Sequence, residues 1–440
     1  MIYQIECFRV GVLSEPRARH REQWRSSEAI FLLGVAITTW FGSEFGEGGS
    51  PSAWFDQRIY GVPLHYGLFV FLVLLITPYL PRDAAVPLSR RLRQIGVWPS
   101  VVAAALVLAF ALSLAILRGV PELFADWRNL GVVAVTTIFA SKWVAAQEWR
   151  IFVVTDIATL YGLLSVPYLV GYVLGGGSSL FGVRIPVFEG TSLYLGSFAS
   201  IVAMWNVLRP DERLGSLRTT ALRVAGISGA LLVLLSFRRS FWLVLALGLV
   251  LVAFFHMRRQ GRRPARLFVA AAIGFVVVVV TVAALGSEAV LARLESFSPT
   301  ATGQFTATNE DHVNDLVDAW QIVSQDPLLG YGIGRHYETN LISDWKTESF
   351  EVHNSLIHVW LKFGVAGAVV YVWFHFALVR AAIRTSDLLP VGAFILSQFA
   401  ATMVGTWPYG RFQMAIFLGL LIAIVAVLRT DQPAASTRSM

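Results

Sequence analysis

Apolar residues in this chain gather in long unbroken runs, not in the alternation of half-buried strands or the polar-backed stripes of soluble helices. A bilayer core of about 30 Å takes about 20 apolar residues per helix. Windows of that kind fall at 28–43, 64–80, 97–117, 129–146, 151–174, 191–208, 219–237, 240–256, 267–286, 352–379, 386–405 and 411–428. The pattern predicts an all-α polytopic membrane protein with about 12 transmembrane helices. One connection is long, and it divides a single membrane domain into helices 1–9 (residues 1–286), a large loop (287–351) and helices 10–12 (352–440). Within the loop, Val313, Leu316, Val317, Trp320 and Val323 recur at helical spacing among Asn309, Asp311, Asn314, Asp315 and Asp318. That spacing predicts a helix of about four turns, capped near Asn309 or Asp311 and stopped before Pro327. Gly330 to Gly334 then makes a flexible turn. No strand precedes it, so its likeness to a dinucleotide fingerprint is superficial.

Composition sharpens this picture. The chain is 56% hydrophobic and only 14% charged, against roughly a quarter charged in soluble domains. A soluble enzyme, a disordered chain and a nucleic-acid binder are excluded. The formal net charge of +7 comes from short basic clusters between apolar runs, which report topology. With the N-terminus in the cytoplasm, every inner segment carries Lys or Arg, from Arg17, Arg19, Arg21 and Arg25 through Arg90, Arg91 and Arg93, Arg209 and Arg213, Arg258 and Arg259, Arg380 and Arg384, to Arg429 and Arg438. Both termini are then cytoplasmic. The N-terminal stretch lacks the small-residue cleavage site of a removed signal. The lone Cys7 excludes an internal disulfide and a cysteine metal cluster. Topology leaves Arg58, Arg118, Arg128, Arg184, Arg238, Arg239, Arg293, Arg335, Lys346 and Arg411 unexplained on the outer side.

The segment after the loop holds His353 and Asn354, then Trp360, Gly364 and Gly367. On a continuous helix the last three lie within about 40° of His353, with Gly364 about 16 Å deeper in the membrane. Such a face suits a base above a groove for a lipid tail. By itself it fits more readily a small-residue packing face beside an interfacial histidine.

The spacing His353-Asn354, nine residues, Gly364-x-x-Gly367 resembles the signature of O-antigen ligases and the related O-antigen and exopolysaccharide polymerases. Asp326-Pro327-Leu328-Leu329-Gly330-Tyr331-Gly332 is similar to that superfamily's Pro-Leu-hydrophobic-Gly-x-Gly segment, Arg238-Arg239-Ser240 to its arginine hairpin, and Gly182-Val183-Arg184 to an earlier loop arginine. The resemblance covers roughly residues 180–380. It implies a GT-C-like glycosyltransferase of the bacterial inner membrane with a periplasmic large loop. The implied donor is a glycan on undecaprenyl diphosphate and the implied acceptor a glycolipid or a lipid-linked glycan, with metal-free inversion and no cofactor. It also implies His353 and Asn354 as catalytic residues. One departure stands out: where these families often begin the loop helix with an arginine, this chain has His312.

Such a transfer needs a base for the acceptor hydroxyl, for which histidine is suited near neutral pH. His353 is assigned that role, with His336 and His312 as rivals or substrate contacts, while His358 points about 140° away and reads as packing. The departing diphosphate calls for arginine. Arg238 and Arg239 are the foremost candidates, Arg239 preferred, with Arg184 and Arg335 able to reach the same diphosphate or the glycan. Gly364 and Gly367 would floor the lipid groove, and Arg411 fits an aromatic-belt anchor equally well. The outer segments lack an Asp-x-Asp pair, which favours arginine over a metal. Asp156 reads as a hydrated helix end, and Lys362 faces away from His353. The competing class is a lipid-linked glycan transporter or flippase, but that should show two related halves, and no internal repeat is visible.

Overall fold

The computed structural model describes residues 86–118, 120, 124–146, 152–166, 169–170, 191–236, 239–261, 304–335, 337–338, 348–349, 352–403 and 412–430, with 58–59 and 62–63. Apolar windows 28–43, 64–80 and 267–286 lie outside these. The described chain is helical apart from two antiparallel ladders of two-residue strands, β1 (Arg58–Ile59) with β2 (Val62–Pro63) and β3 (Tyr337–Glu338) with β4 (Glu348–Ser349). The helices are α1 (Leu88–Gln94), α2 (Trp98–Leu117), α3 (Phe124–Ala146), α4 (Val153–Leu163), α5 (Thr191–Leu208), α6 (Gly215–Leu235), α7 (Arg239–Arg259), α8 (Gln304–Gln325), α9 (Ser355–Ile383), α10 (Leu389–Thr402) and α11 (Phe412–Thr430). Among them, four segments are long and apolar enough to cross a membrane: Trp98–Leu117, Glu212–Leu235, Ser240–Arg259 and Ser355–Ile383.

Helix contacts in the bundle rest on small residues and interlocked rings. Where α5 meets α6, a Cβ on Gly196 would stand 3.0 Å from the Gly229 carbonyl oxygen, so the two backbones touch. Phe198 of α5, Phe394 of α10 and Phe417 of α11 form an edge-to-face triangle with centroids 5.1 to 5.6 Å apart. At one end of the bundle, segments that the sequence assigns to a common side meet. Arg91 donates to Thr430 Oγ1 (2.7 Å) and Arg259 to the Ile383 carbonyl (2.6 Å). Arg209 pairs with Asp387 at 3.4 Å, and Arg429 reaches Thr385 Oγ1.

α9 is not the continuous helix that the apolar run suggests. Gly364 adopts φ 69° and ψ −175°, a conformation open essentially to glycine alone. On a straight helix Ser355 and Tyr371 would stand about 24 Å apart. Instead the Tyr371 hydroxyl donates to Ser355 Oγ at 3.3 Å. The chain therefore folds back at Gly364. Residues 355–363 form a short arm lying against 365–371, and residues 365–383 form a membrane-length helix of about 28 Å. A Cβ on Gly367 would collide with Phe363 and lie 3.5 Å from the Val359 carbonyl, so Gly367 is where the arms touch.

α8 also departs from expectation. It begins at Gln304, about one and a half turns before Asn309, though it does stop before Pro327. Most of its apolar stripe is not buried: Val313, Leu316, Val317 and Trp320 are exposed, and of the stripe Val323 is buried, together with Asp315 and Ala319. Ala319 and Val323 join Tyr337, Val352 and Leu361 in a small core, so the arm 355–363 packs as part of the loop.

Candidate functional site

Loop, arm and bundle converge on His353. Asn354, in extended conformation, caps the arm by accepting the Leu356 and Ile357 N–H groups at 3.0 Å each, and its amide donates to the Met403 carbonyl at 2.7 Å. Ser355 Oγ donates to Thr402 Oγ1 at 2.9 Å. The start of the arm is thereby pinned to the end of α10. Asn354, expected as catalytic, spends its side chain on these bonds and holds its neighbour in place.

The neighbour meets a carboxylate from α8. Asp315 Oδ2 accepts both the backbone N–H of His353 and its ring Nδ1–H, each at 2.9 Å. The Tyr337 hydroxyl donates to Asp315 Oδ1 at 2.5 Å. An ionised carboxylate only accepts, so the contact at Nδ1 places the proton there and leaves Nε2 to take one from a substrate. Asp315 is almost wholly buried, while the His353 side chain keeps 39% of its surface. Burial pushes the Asp315 carboxyl up, but the bonds from His353 and Tyr337 outweigh it and hold the group below its ordinary value of 3.8. The arrangement is a carboxylate anchor, charged at neutral pH, behind an accessible imidazole.

Two expectations about this segment are corrected. His353 precedes the helix, and the chain reverses at Gly364, so the angular register drawn from His353 through Trp360 to Gly367 does not exist. Nor are Gly364 and Gly367 an open strip descending below the histidine. A Cβ on Gly364 would strike the Leu328 carbonyl oxygen and come within 2.8 Å of its carbon, and Gly364 lies past Tyr371, about 10 Å farther along the helix. Leu328 and the second arm fill the space reserved for a lipid tail. The Pro327–Gly330 turn is bolted to the arm by Val365 N–H to Pro327 O (3.1 Å), Trp360 Nε1–H to Pro327 O (2.8 Å) and Tyr331 N–H to Leu361 O (2.7 Å). Gly330 is needed there because a Cβ would meet the Trp360 carbonyl at 2.5 Å. The two glycine motifs are thus halves of one clasp that presents His353 to Asp315.

His358 is buried and accepts the Val352 N–H at 3.4 Å, a packing residue as expected. Lys362 faces Arg335, donating to its carbonyl at 2.7 Å. Arg335 itself lies over the Tyr331 ring at 5.3 Å, two residues from Tyr337. The backbone of Arg239 opens α7. Gly248 of α7 lies level with Ser397 of α10, which puts Arg239 about 6 Å beyond the level of Thr402, at the His353 end of the bundle. Arg184, Arg238, His336 and Arg411 lie outside the described residues, as do the side chains of Arg239 and His312. A cavity of about 310 Å³ lies at the opposite end, beside Asn206, Arg209, Asp211 and Asp387, where Arg209 pairs with Asp387 and Arg213 with Asp211.

Sequence reasoning missed Asp315 and Tyr337. Asp315 did leave a signal, standing four and eight residues before Ala319 and Val323 on the face that the structure buries. Tyr337 left none, because only folding of the loop brings it to Asp315. Comparison with protein families finds that residues 224–372 match the family model described as O-antigen ligase. The matched stretch runs from α6 through the loop to both arms of α9, and so includes Asp315, His353, Gly364 and Gly367. No curated protein matches the chain.

Proposed function

We propose, from the match of residues 224–372 to the family model described as O-antigen ligase, that this chain is a membrane glycosyltransferase that transfers a glycan from undecaprenyl diphosphate to an acceptor hydroxyl. The acceptor is a glycolipid or a second lipid-linked glycan. The reaction takes place at the periplasmic face of a bacterial inner membrane, within a GT-C-like bundle of about twelve spans whose termini are cytoplasmic. The observation that carries the reading is the Asp315–His353 pair, held by Tyr337 and opened to substrate on one side.

In this mechanism the acceptor O–H gives its proton to Nε2 of His353 as its oxygen attacks the anomeric carbon of the donor sugar. The bond from that carbon to the diphosphate oxygen breaks, its electron pair leaves with the lipid diphosphate, and the configuration inverts. Asp315 keeps the imidazole in the accepting tautomer and stabilises the imidazolium that forms. Arg238 and Arg239, with Arg184, bind the diphosphate, so the reaction needs neither metal nor cofactor. Ligase and polymerase differ in acceptor, and the site chemistry serves both.

The test is reconstitution of the purified chain in liposomes with a lipid-linked glycan donor and acceptor. His353→Ala is expected to abolish transfer while the protein remains folded and donor binding persists. Full transfer by that variant would remove the base assignment. Glycolipid mass analysis of a deletion strain then separates the two acceptors: single repeat units left on the carrier indicate a polymerase, long chains left there a ligase.

A further inference from the structure

The helix that carries Asp315 has an outer face that the site does not use. Val313, Leu316, Val317 and Trp320 of α8 are exposed along it. Gln321 and Ser324 lie within about 40° of Val317 around the same helix, and they are exposed too. One face thus changes character along its length, apolar as far as Trp320 and polar from Gln321 to the helix end.

The bonds that pin the arm also fix the height of this change. Ser355 Oγ donates to Thr402 Oγ1 and accepts from the Tyr371 hydroxyl. Counted from the inner end of the bundle, where Arg209 pairs with Asp387, Tyr371 stands about 18 Å above Ile383 along α9 and Thr402 about 20 Å above Leu389 along α10. Both helices therefore put Ser355 about 10 Å beneath the outer edge of a bilayer core of about 30 Å. Tilt shortens both rises and sets it deeper. Asp315 meets His353 at about that height, whereas Pro327 meets Trp360 and Val365, where the spanning arm of α9 begins. α8 accordingly climbs outward beside the arm, its apolar turns near the height of Tyr371 and its polar turns near that of Gly364. The spanning arm shows lipid-facing surface at the same height, where Val369 and Trp373 are exposed on a segment long and apolar enough to cross a membrane.

We infer that α8 is seated in the outer leaflet, with its turns from Val313 to Trp320 against lipid acyl chains and those from Gln321 onward in the headgroup layer. Trp320 marks the change, its ring meeting Trp360 edge to face at 5.7 Å, and tryptophan favours the boundary between hydrocarbon and water. A protein partner would give no reason for the face to turn polar at the height where the bilayer core ends. The helix carries neither Lys nor Arg, so apolar contact and not attraction to anionic headgroups holds it. The carboxylate behind His353 thus sits on a helix with lipid on one side and the arm on the other. This seat rests on the bilayer reading of the apolar runs and is independent of glycosyl transfer.

The experiment reads depth. The full-length chain with Cys7→Ser is reconstituted in phosphatidylcholine vesicles with a single nitroxide label on Val317→Cys, Ser324→Cys or Val369→Cys. Electron paramagnetic resonance compares collision with oxygen, which concentrates in hydrocarbon, and with a neutral nickel chelate, which stays in water. The label at 317 is expected to favour oxygen as strongly as that at 369, and the ratio to fall at 324. Val313→Cys repeats the measurement about a turn lower, so the test survives a variant that does not fold. Nickel access at 317 equal to that at 324 would mean a stripe open to water and overturn the proposal. Shielding of the 317 label from both reagents would overturn it in favour of a protein partner or a second copy. Neither result depends on catalysis, so failure of the transfer reading and failure of this seat are told apart.

Discussion

Replacing Gly364 by alanine tests the clasp directly. The new methyl group must enter a backbone conformation at φ 69° and ψ −175° that costs an L-residue about 1–3 kcal/mol. It must also push into the 327–330 turn, where the carbonyl carbons of Leu328 and Leu329 would lie only 2.8 and 2.9 Å away. Overpacking of that kind costs about another 1–3 kcal/mol. The sum, about 2–6 kcal/mol, is a large share of the roughly 5–15 kcal/mol that ordinarily separates folded from unfolded. Relaxing the strain means opening the bonds from Val365 to Pro327 and from Tyr331 to Leu361, so the arm swings away from α8 and His353 leaves Asp315. Scanning fluorimetry in detergent should show a fall in Tm of at least about 4 °C, and reconstituted transfer should fall with it. A second readout follows the fold-back itself: cysteines at 355 and 371, with Cys7 replaced by serine, should be joined by a short bifunctional thiol reagent in the otherwise unaltered chain and joined far less in Gly364→Ala. If the unaltered chain fails to cross-link, or if Gly364→Ala keeps its Tm and activity, the hinge is not what presents the histidine.

Asp315→Asn should lower kcat by about 10- to 100-fold with little change in KM, since a hydrogen bond to a charged partner is worth about 1.5–3 kcal/mol. The amide can still accept both His353 N–H groups if the Tyr337 hydroxyl turns to accept, so the fold survives and only the charge is lost; unaltered kcat would count against the orienting role. The Asp315 carboxyl also makes loop stability depend on pH. Its folded pKa is depressed below 3.8, so its contribution is complete above the ordinary carboxylate range and disappears as pH falls through the lower folded value. Hydrogen exchange at α8 and at residues 355–363 should rise below about pH 4 in the parent, and Asp315→Asn should flatten that rise; the same acid profile in both would mean that other groups govern it.

The sequence alone determined the chemistry of the surroundings. Runs of apolar residues too long for a soluble core demand a bilayer, and the described helices fall where those runs fall, because in lipid every backbone polar group must be satisfied within its own helix. Basic residues assigned to one side also meet at one end, as Arg91 with Thr430 and Arg259 with Ile383 show. The spacing of His353, Asn354, Gly364 and Gly367 was visible too, but its purpose was not. Hydropathy cannot report a reversal at Gly364, since an apolar helix and two apolar arms folded together have the same profile. Periodicity found α8 but could not say which face is buried, because near a membrane an exposed apolar stripe is as permissible as a buried one. Only the tertiary structure decided that a lone acidic residue on the other face, a tyrosine from beyond a glycine turn and a capped histidine share one buried contact. Those three groups are 38 residues apart at the extremes, and local sequence carries no information about which distant partner will satisfy a buried charge.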